Sequence, residues 1–274
     1  MGRILLLFVL LLVVMGVASN SNKLRYSLPA IQKEVLGIPV VFNPYPYKIP
    51  SIPVKRSYLT VLVGDSMTHL LGENAPRLRE YLIERYPAHE FVNYNYGYGS
   101  TNILSLPGRL NDQTEYLGAT HPAILSQDFD LILIESFGHN PLSAFTLEEG
   151  LKKQEEILDQ AVRAIIKARP NSVIAFLTPI APSREHYAKG VATLTREQRE
   201  IWVDERVAYI KNHVKFVRDR GIPVIDVYSA SLDKEGRADL GYIAKDFIHP
   251  SQAGVDLTTK TIAEFIFENK IFPE

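Results

Sequence analysis

Leu59-Thr-Val-Leu-Val-Gly64-Asp65-Ser66-Met67-Thr68 is an apolar, β-branched run broken off by a glycine, an acid and a serine. Such a run, ended by small residues and lacking polar alternation, predicts a fully buried strand of a parallel sheet, where helices cover both faces. Ligands of such sheets bind at the carboxyl ends of the strands. Ser66 is therefore placed where an open α/β fold keeps its chemistry. A base, an orienting acid and oxyanion donors are then sought at the exits of later strands.

Working outward, Asn74 and Pro76 predict a helix start, with Leu78, Leu82 and Ile83 inside and Pro87 as its stop. Residues 90–97, Glu-Phe-Val-Asn-Tyr-Asn-Tyr-Gly, predict a second strand. Residues 98–128 carry Pro107-Gly108 and Gly118 and are expected to be a long irregular loop, the kind that is usually functional. Strands are expected at residues 130–135, 172–177 and 223–228. Thr146 with Glu149 and Thr195 with Gln198 form capping-box patterns that open helices to Ala168 and Arg220, and Ser251 opens a last one to Glu268. Strands thus alternate with helices. The expected fold is a three-layer α/β/α sandwich with a flavodoxin-like five-stranded parallel sheet in the order 2-1-3-4-5.

The chain's 274 residues, 46% of them hydrophobic, suffice for one sizeable core. Thirty Lys and Arg against 31 Asp and Glu leave a net charge of -1, which gives no electrostatic basis for a nucleic-acid partner. Residues 1–19, with Arg3, the apolar run from Ile4 to Met15 and the small residues Gly16-Val17-Ala18, have the anatomy of a signal peptide. The run is shorter than the roughly 20 residues of a membrane span, so export without a stable span is expected, a short anchor being the alternative. Absence of cysteine excludes disulfides and thiolate metal sites. Residues 20–57, with Pro29, Pro39, Pro44, Pro46, Pro50 and Pro53, read as an extended arm, and residues 58–274 as the domain proper.

A serine hydroxyl needs an adjacent base, and the base needs a partner that fixes its tautomer. Asp246-Phe-Ile-His249 offers both, although an acid in that position also suits an ordinary turn cap. Gly97-Tyr-Gly99 leaves the second strand, where a glycine lets a backbone N–H face a ligand, and Asn140 leaves the third with an amide able to donate to an oxyanion. His69, His89, His121, His139, His186 and His213 show no metal-ligand spacing. Gly97-x-Gly99 lacks the remaining glycine of a dinucleotide fingerprint, and Gly64-x-Ser66-x-Thr68 lacks the second glycine of an α/β-hydrolase elbow. No metal or organic cofactor is expected.

Four stretches in order resemble the SGNH, or GDSL-type, serine hydrolase family: Gly64-Asp65-Ser66-Met67, Asn95 to Thr101, Gly138-His-Asn140, and Asp246-Phe-Ile-His249-Pro250. The resemblance implies Ser66 as nucleophile, His249 as base and Asp246 as its orienter. It also implies an oxyanion hole of the Ser66 N–H, the Gly99 N–H and the Asn140 amide. Two departures stand out: the second block is one residue short, which leaves Gly97 as the alternative donor, and Pro141 follows Asn140 where the family has aspartate. The implied activity is hydrolysis of acyl or acetyl esters, on small molecules, glycans or lipids. An O-acyltransferase with the same triad and a non-catalytic binding module are the alternatives; oligomeric state is not legible.

Overall fold

The computed structural model describes residues 47–273. The expected signal peptide and most of the proline-rich arm lie outside the described residues. In chain order the strands are β1 (Ser57–Gly64), β2 (Glu90–Gly97), β3 (Thr114–Tyr116), β4 (Ala119–His121), β5 (Leu131–Glu135), β6 (Val173–Leu177) and β7 (Val224–Ile225). The helices are α1 (Ser66–His69), α2 (Pro76–Arg85), α3 (Leu106–Asn111), α4 (Leu147–Ala168), α5 (Arg196–Arg218), α6 (Val227–Ala230) and α7 (Gln252–Glu268).

The main sheet runs β2-β1-β5-β6-β7 with every pair parallel, which is the expected 2-1-3-4-5 order. Successive side chains of a strand point to opposite faces, and here both faces are buried. Leu62, Leu131, Leu133 and Val173 meet Leu78 and Leu82 of α2 and Ile262 and Ile266 of α7. Val61, Val63, Ile132 and Ile174 meet Leu158, Val162 and Ile165 of α4 and Phe216 and Val217 of α5. That is why these strands read as unbroken apolar runs, and it makes three layers.

Both capping boxes form, with Thr146 and Thr195 as N-caps. Two expectations differ in detail. Helix α2 is preceded by Ala75, at φ 41 and without a side-chain cap, so Asn74 does not cap it. The fifth strand is Val224–Ile225 alone: Asp226 accepts from the Ser229 N–H at 3.0 Å and turns the chain into α6.

Residues 98–128 are more ordered than their composition suggests. They hold two short 3-10 turns, α3 and a β3–β4 hairpin that pairs antiparallel outside the main sheet. Arg109, with 1% of its surface exposed, fastens this segment to the strand exits by donating to the Gly64 and Tyr96 carbonyls at 2.6 Å each. Within the described part of the arm, the Tyr47 hydroxyl accepts from the Ile174 N–H at 2.8 Å, and burial pushes that phenol up to about 12.

Candidate active site

Register carries the strand exits to one edge: Gly64 of β1 pairs with Gly97 of β2, and Val63 pairs with Ile134 of β5. Beyond Gly64 the chain turns directly into α1. Asp65, fully buried, caps that turn by accepting from the Met67 N–H at 2.8 Å, which sets Ser66 on its first residue.

His249 reaches Ser66 from the far end of the sequence. Its Nε2 is 3.0 Å from Ser66 Oγ, and its Nδ1 is 2.7 Å from Asp246 Oδ2. The other carboxylate oxygen, Oδ1, accepts from the backbone N–H groups of Ile248 and His249 at 3.0 and 3.1 Å. Asp246 is thus a turn cap and the histidine's partner at once, one oxygen for each. Burial raises its carboxyl, but the His249 ring and the two N–H donors outweigh that and hold it at about 2. Phe247, at φ 55, forms the sharp point of this turn, and the His249 carbonyl accepts from the Ala244 N–H at 2.8 Å.

Asn140 is tied to the turn that carries Ser66: its Nδ2 donates to Asp65 Oδ2 at 2.9 Å. An amide nitrogen carries two protons, so one remains for another acceptor. The two glycines have different surroundings. A Cβ on Gly97 would lie 2.2 Å from the His69 nitrogen and 2.6 Å from the Thr68 carbonyl carbon, so this glycine lets β2 pack against α1. A Cβ on Gly99 would meet the Tyr116 hydroxyl at 3.1 Å and Ser66 Cβ at 3.8 Å. Gly99 therefore faces the serine, and its N–H donates to the Tyr116 hydroxyl at 2.8 Å.

Three neighbours were not singled out by sequence reasoning. Glu135 closes β5 and is 1% exposed; its Oε1 accepts from the Ser136 hydroxyl at 2.7 Å and its Oε2 lies 3.4 Å from the Asp65 nitrogen. Burial first, then the adjacent Asp65 charge, push the Glu135 carboxyl well above its ordinary range. Burial also raises Asp65, against the pull of the Met67 N–H and the Asn140 amide. Those two donors favour the charge on Asp65, so of the two carboxyls Glu135 binds its proton the more tightly. An acid ending the apolar run Leu-Ile-Leu-Ile was the available signal for Glu135. Tyr116 and Arg109 had none, because only the tertiary fold brings them here.

The remaining histidines find ordinary surroundings. His139 is buried beside the Tyr187 hydroxyl, and burial depresses it to about 3; His213 is likewise buried and depressed to about 3. His69 packs edge-on against Tyr116, and His186 stacks on Phe247. Among the described residues no three His, Asp or Glu side chains gather as a metal site.

A family model described as the GDSL-like lipase/acylhydrolase family matches residues 62–257, and the chain belongs to that family. It is an ester-hydrolysing enzyme. Solved structures share its fold. A lipase/acylhydrolase from Enterococcus faecalis is 21% identical, with a TM-score of 0.53 over 77% of this chain and 96% of that one. An acetylxylan esterase from Geobacillus stearothermophilus is 17% identical, with a TM-score of 0.54 over 83% and 98%. A GDSL-like lipase from Bacteroides thetaiotaomicron is 14% identical, with a TM-score of 0.52 over 79% and 91%. No curated protein matches the sequence.

Proposed function

We propose that this enzyme is an exported serine esterase that works through an acyl-enzyme formed on Ser66. The observation that carries the reading is the unbroken line from Ser66 Oγ through the His249 ring to Asp246, at 3.0 and 2.7 Å. With Asp246 ionised and accepting from Nδ1–H, the Nε2 lone pair faces the serine hydroxyl. Ser66 Oγ attacks the ester carbonyl while its proton moves to Nε2. The tetrahedral intermediate carries the negative charge on the former carbonyl oxygen, toward which the Asn140 amide and backbone N–H groups at Ser66 and Gly99 are the family's expected donors. Collapse expels the alcohol, which takes the proton from Nε2. Water then repeats the sequence on the acyl group, and the carboxylic acid leaves with Ser66 restored.

Short acyl and acetyl esters, including O-acetyl groups on carbohydrates, are the proposed substrates. The fold shared with an acetylxylan esterase supports this class. Export rests on the leader-like anatomy of residues 1–19. Among the described residues no helix is long and apolar enough to cross a membrane.

A panel of acetyl and longer-chain esters, assayed with wild type and Ser66→Ala, tests the proposal. Hydrolysis by wild type, abolished in a mutant that unfolds at the same temperature, is the expected result. Unimpaired hydrolysis by Ser66→Ala contradicts it.

A further inference from the structure

We propose that the Tyr116 hydroxyl is a catalytic residue of the oxyanion site: held by the Gly99 N–H, it donates its own proton to the developing oxyanion. The inference rests on the esterase reading above and puts the phenol in the place of the Gly99 N–H as the group that meets the oxyanion. A backbone nitrogen has one proton, and that of Gly99 is engaged at 2.8 Å with the Tyr116 oxygen. A phenol that accepts one hydrogen bond still has its O–H to give, and among the described residues no acceptor takes it. The hydroxyl and Ser66 Cβ flank one point, 3.1 and 3.8 Å from where a Gly99 Cβ would lie. The phenol therefore stands beside the nucleophile, with a proton free for the acyl oxygen of a bound ester.

The other reading is a plug, in which Tyr116 blocks the Gly99 N–H until substrate pushes it aside. The surroundings favour a fixed donor. The Tyr116 ring stacks on Tyr98 with centroids 4.4 Å apart and planes 14° apart, while His69 meets it edge-on at 5.4 Å. The β3–β4 hairpin that carries it is tied at its base to β2 and to Tyr98 just beyond that strand. Tyr98 and Thr114 share a hydroxyl hydrogen bond of 2.8 Å, and the Tyr96 hydroxyl donates to the Pro122 carbonyl at 2.9 Å. Donors that stabilise an oxyanion work because they are fixed before charge develops, and a hydroxyl pinned by stacking and by a backbone N–H meets that condition. Proton balance is simple: the O–H shares its proton with the oxyanion in the intermediate and keeps it when the intermediate collapses.

The test compares wild type, Tyr116→Phe and Thr114→Val on one short-chain ester, with thermal unfolding of each. Phenylalanine keeps the stacked ring and removes the proton. Tyr116→Phe is expected to lower kcat by about 10- to 100-fold with KM nearly unchanged, less than the 10²–10³ typical of losing a donor outright, because the freed Gly99 N–H then turns to the oxyanion. Thr114→Val, which removes one tie of the hairpin but leaves the phenol stacked on Tyr98 and held by the Gly99 N–H, is expected to retain kcat within about threefold, well inside the loss set by one donor. An active wild type with Tyr116→Phe equal or faster overturns this proposal alone, as does an equal loss in Thr114→Val. A wild type that hydrolyses no ester overturns the esterase reading and this proposal with it.

Discussion

Asp65 and Asn140, 75 residues apart in sequence, are joined by a 2.9 Å hydrogen bond from the amide to the carboxylate. The residue before the nucleophile therefore fixes the amide proposed to face the oxyanion, and orders α1 through the Met67 N–H as well. Asn140→Ala is expected to reduce kcat by about 10²–10³-fold with little change in KM, because the lost donor acts chiefly on the transition state. Asp65→Asn turns one of its two acceptor contacts into a donor facing a donor, and a smaller loss is expected. Steady-state kinetics on one ester check both, and a pure KM effect in Asn140→Ala would remove it from the oxyanion site.

Asp246→Asn separates the two duties of that carboxylate. Its oxygen can still cap the turn, but its amide presents a donor to Nδ1 of His249. That favours the tautomer with the proton on Nε2, which cannot accept from Ser66. A folded mutant with kcat reduced by up to about 10⁴-fold is expected. Because Asp246 in wild type is held at about 2, its own protonation contributes no loss of rate until the medium is strongly acidic. The acidic limb of the wild-type profile should accordingly lie above the range in which Asp246 takes up its proton. A folded mutant with wild-type kcat and an unshifted limb would reduce Asp246 to a turn residue.

The two glycines should fail in different ways. Gly97→Ala places a Cβ within 2.2 Å of backbone and is expected to lower thermal stability strongly. Gly99→Ala meets only the Tyr116 hydroxyl and Ser66 Cβ, at 3.1 and 3.8 Å, so it should fold near normally and lose kcat. Measuring unfolding and kinetics together is essential, since activity alone would implicate either residue. Normal stability in Gly97→Ala, with activity lost, would reverse the assignment of the donor.

The buried Glu135 leaves a mark on stability against pH. Its folded pKa lies above its ordinary value of 4.5 because of burial and the Asp65 charge. The folded state therefore binds the proton more tightly, so stability is full below 4.5 and falls as pH rises from there. Asp246 acts oppositely: its contribution is present above 3.8 and lost as pH falls toward about 2. Glu135→Gln should flatten the decline in melting temperature above pH 4.5 and raise it at neutral pH. Parallel melting profiles for mutant and wild type would show that Glu135 is not the group responsible.

Local signals were legible wherever the residue itself determines the outcome. Strand β2 occupies the expected residues 90–97 because aromatic and β-branched content and two glycine exits coincide, and Thr146 and Thr195 cap their helices through side chains three residues from the groups they bind. Ser66, Asp246 and His249 could be proposed because each occurs in a short motif at a strand exit or final turn, and the fold brings them within hydrogen-bond reach of one another. What could not be read depends on long-range contacts. The hairpin carrying Tyr116 has strands of three residues, too short for periodicity, and is held by Tyr96 and Tyr98. Glu135 owes its altered carboxyl first to burial and then to Asp65, 70 positions away. Strand β7 was overestimated because Val227 and Tyr228 suit a strand by type, while the Asp226 cap bends them into α6.

The central claim, that Ser66 is the nucleophile, is tested most directly by treating the purified enzyme with a fluorophosphonate and locating the adduct by peptide mass spectrometry. The account predicts stoichiometric phosphonylation of the peptide at Ser66, loss of esterase activity in step with labelling, and no adduct in Ser66→Ala. An active preparation in which Ser66 stays unmodified while another residue is labelled would contradict it.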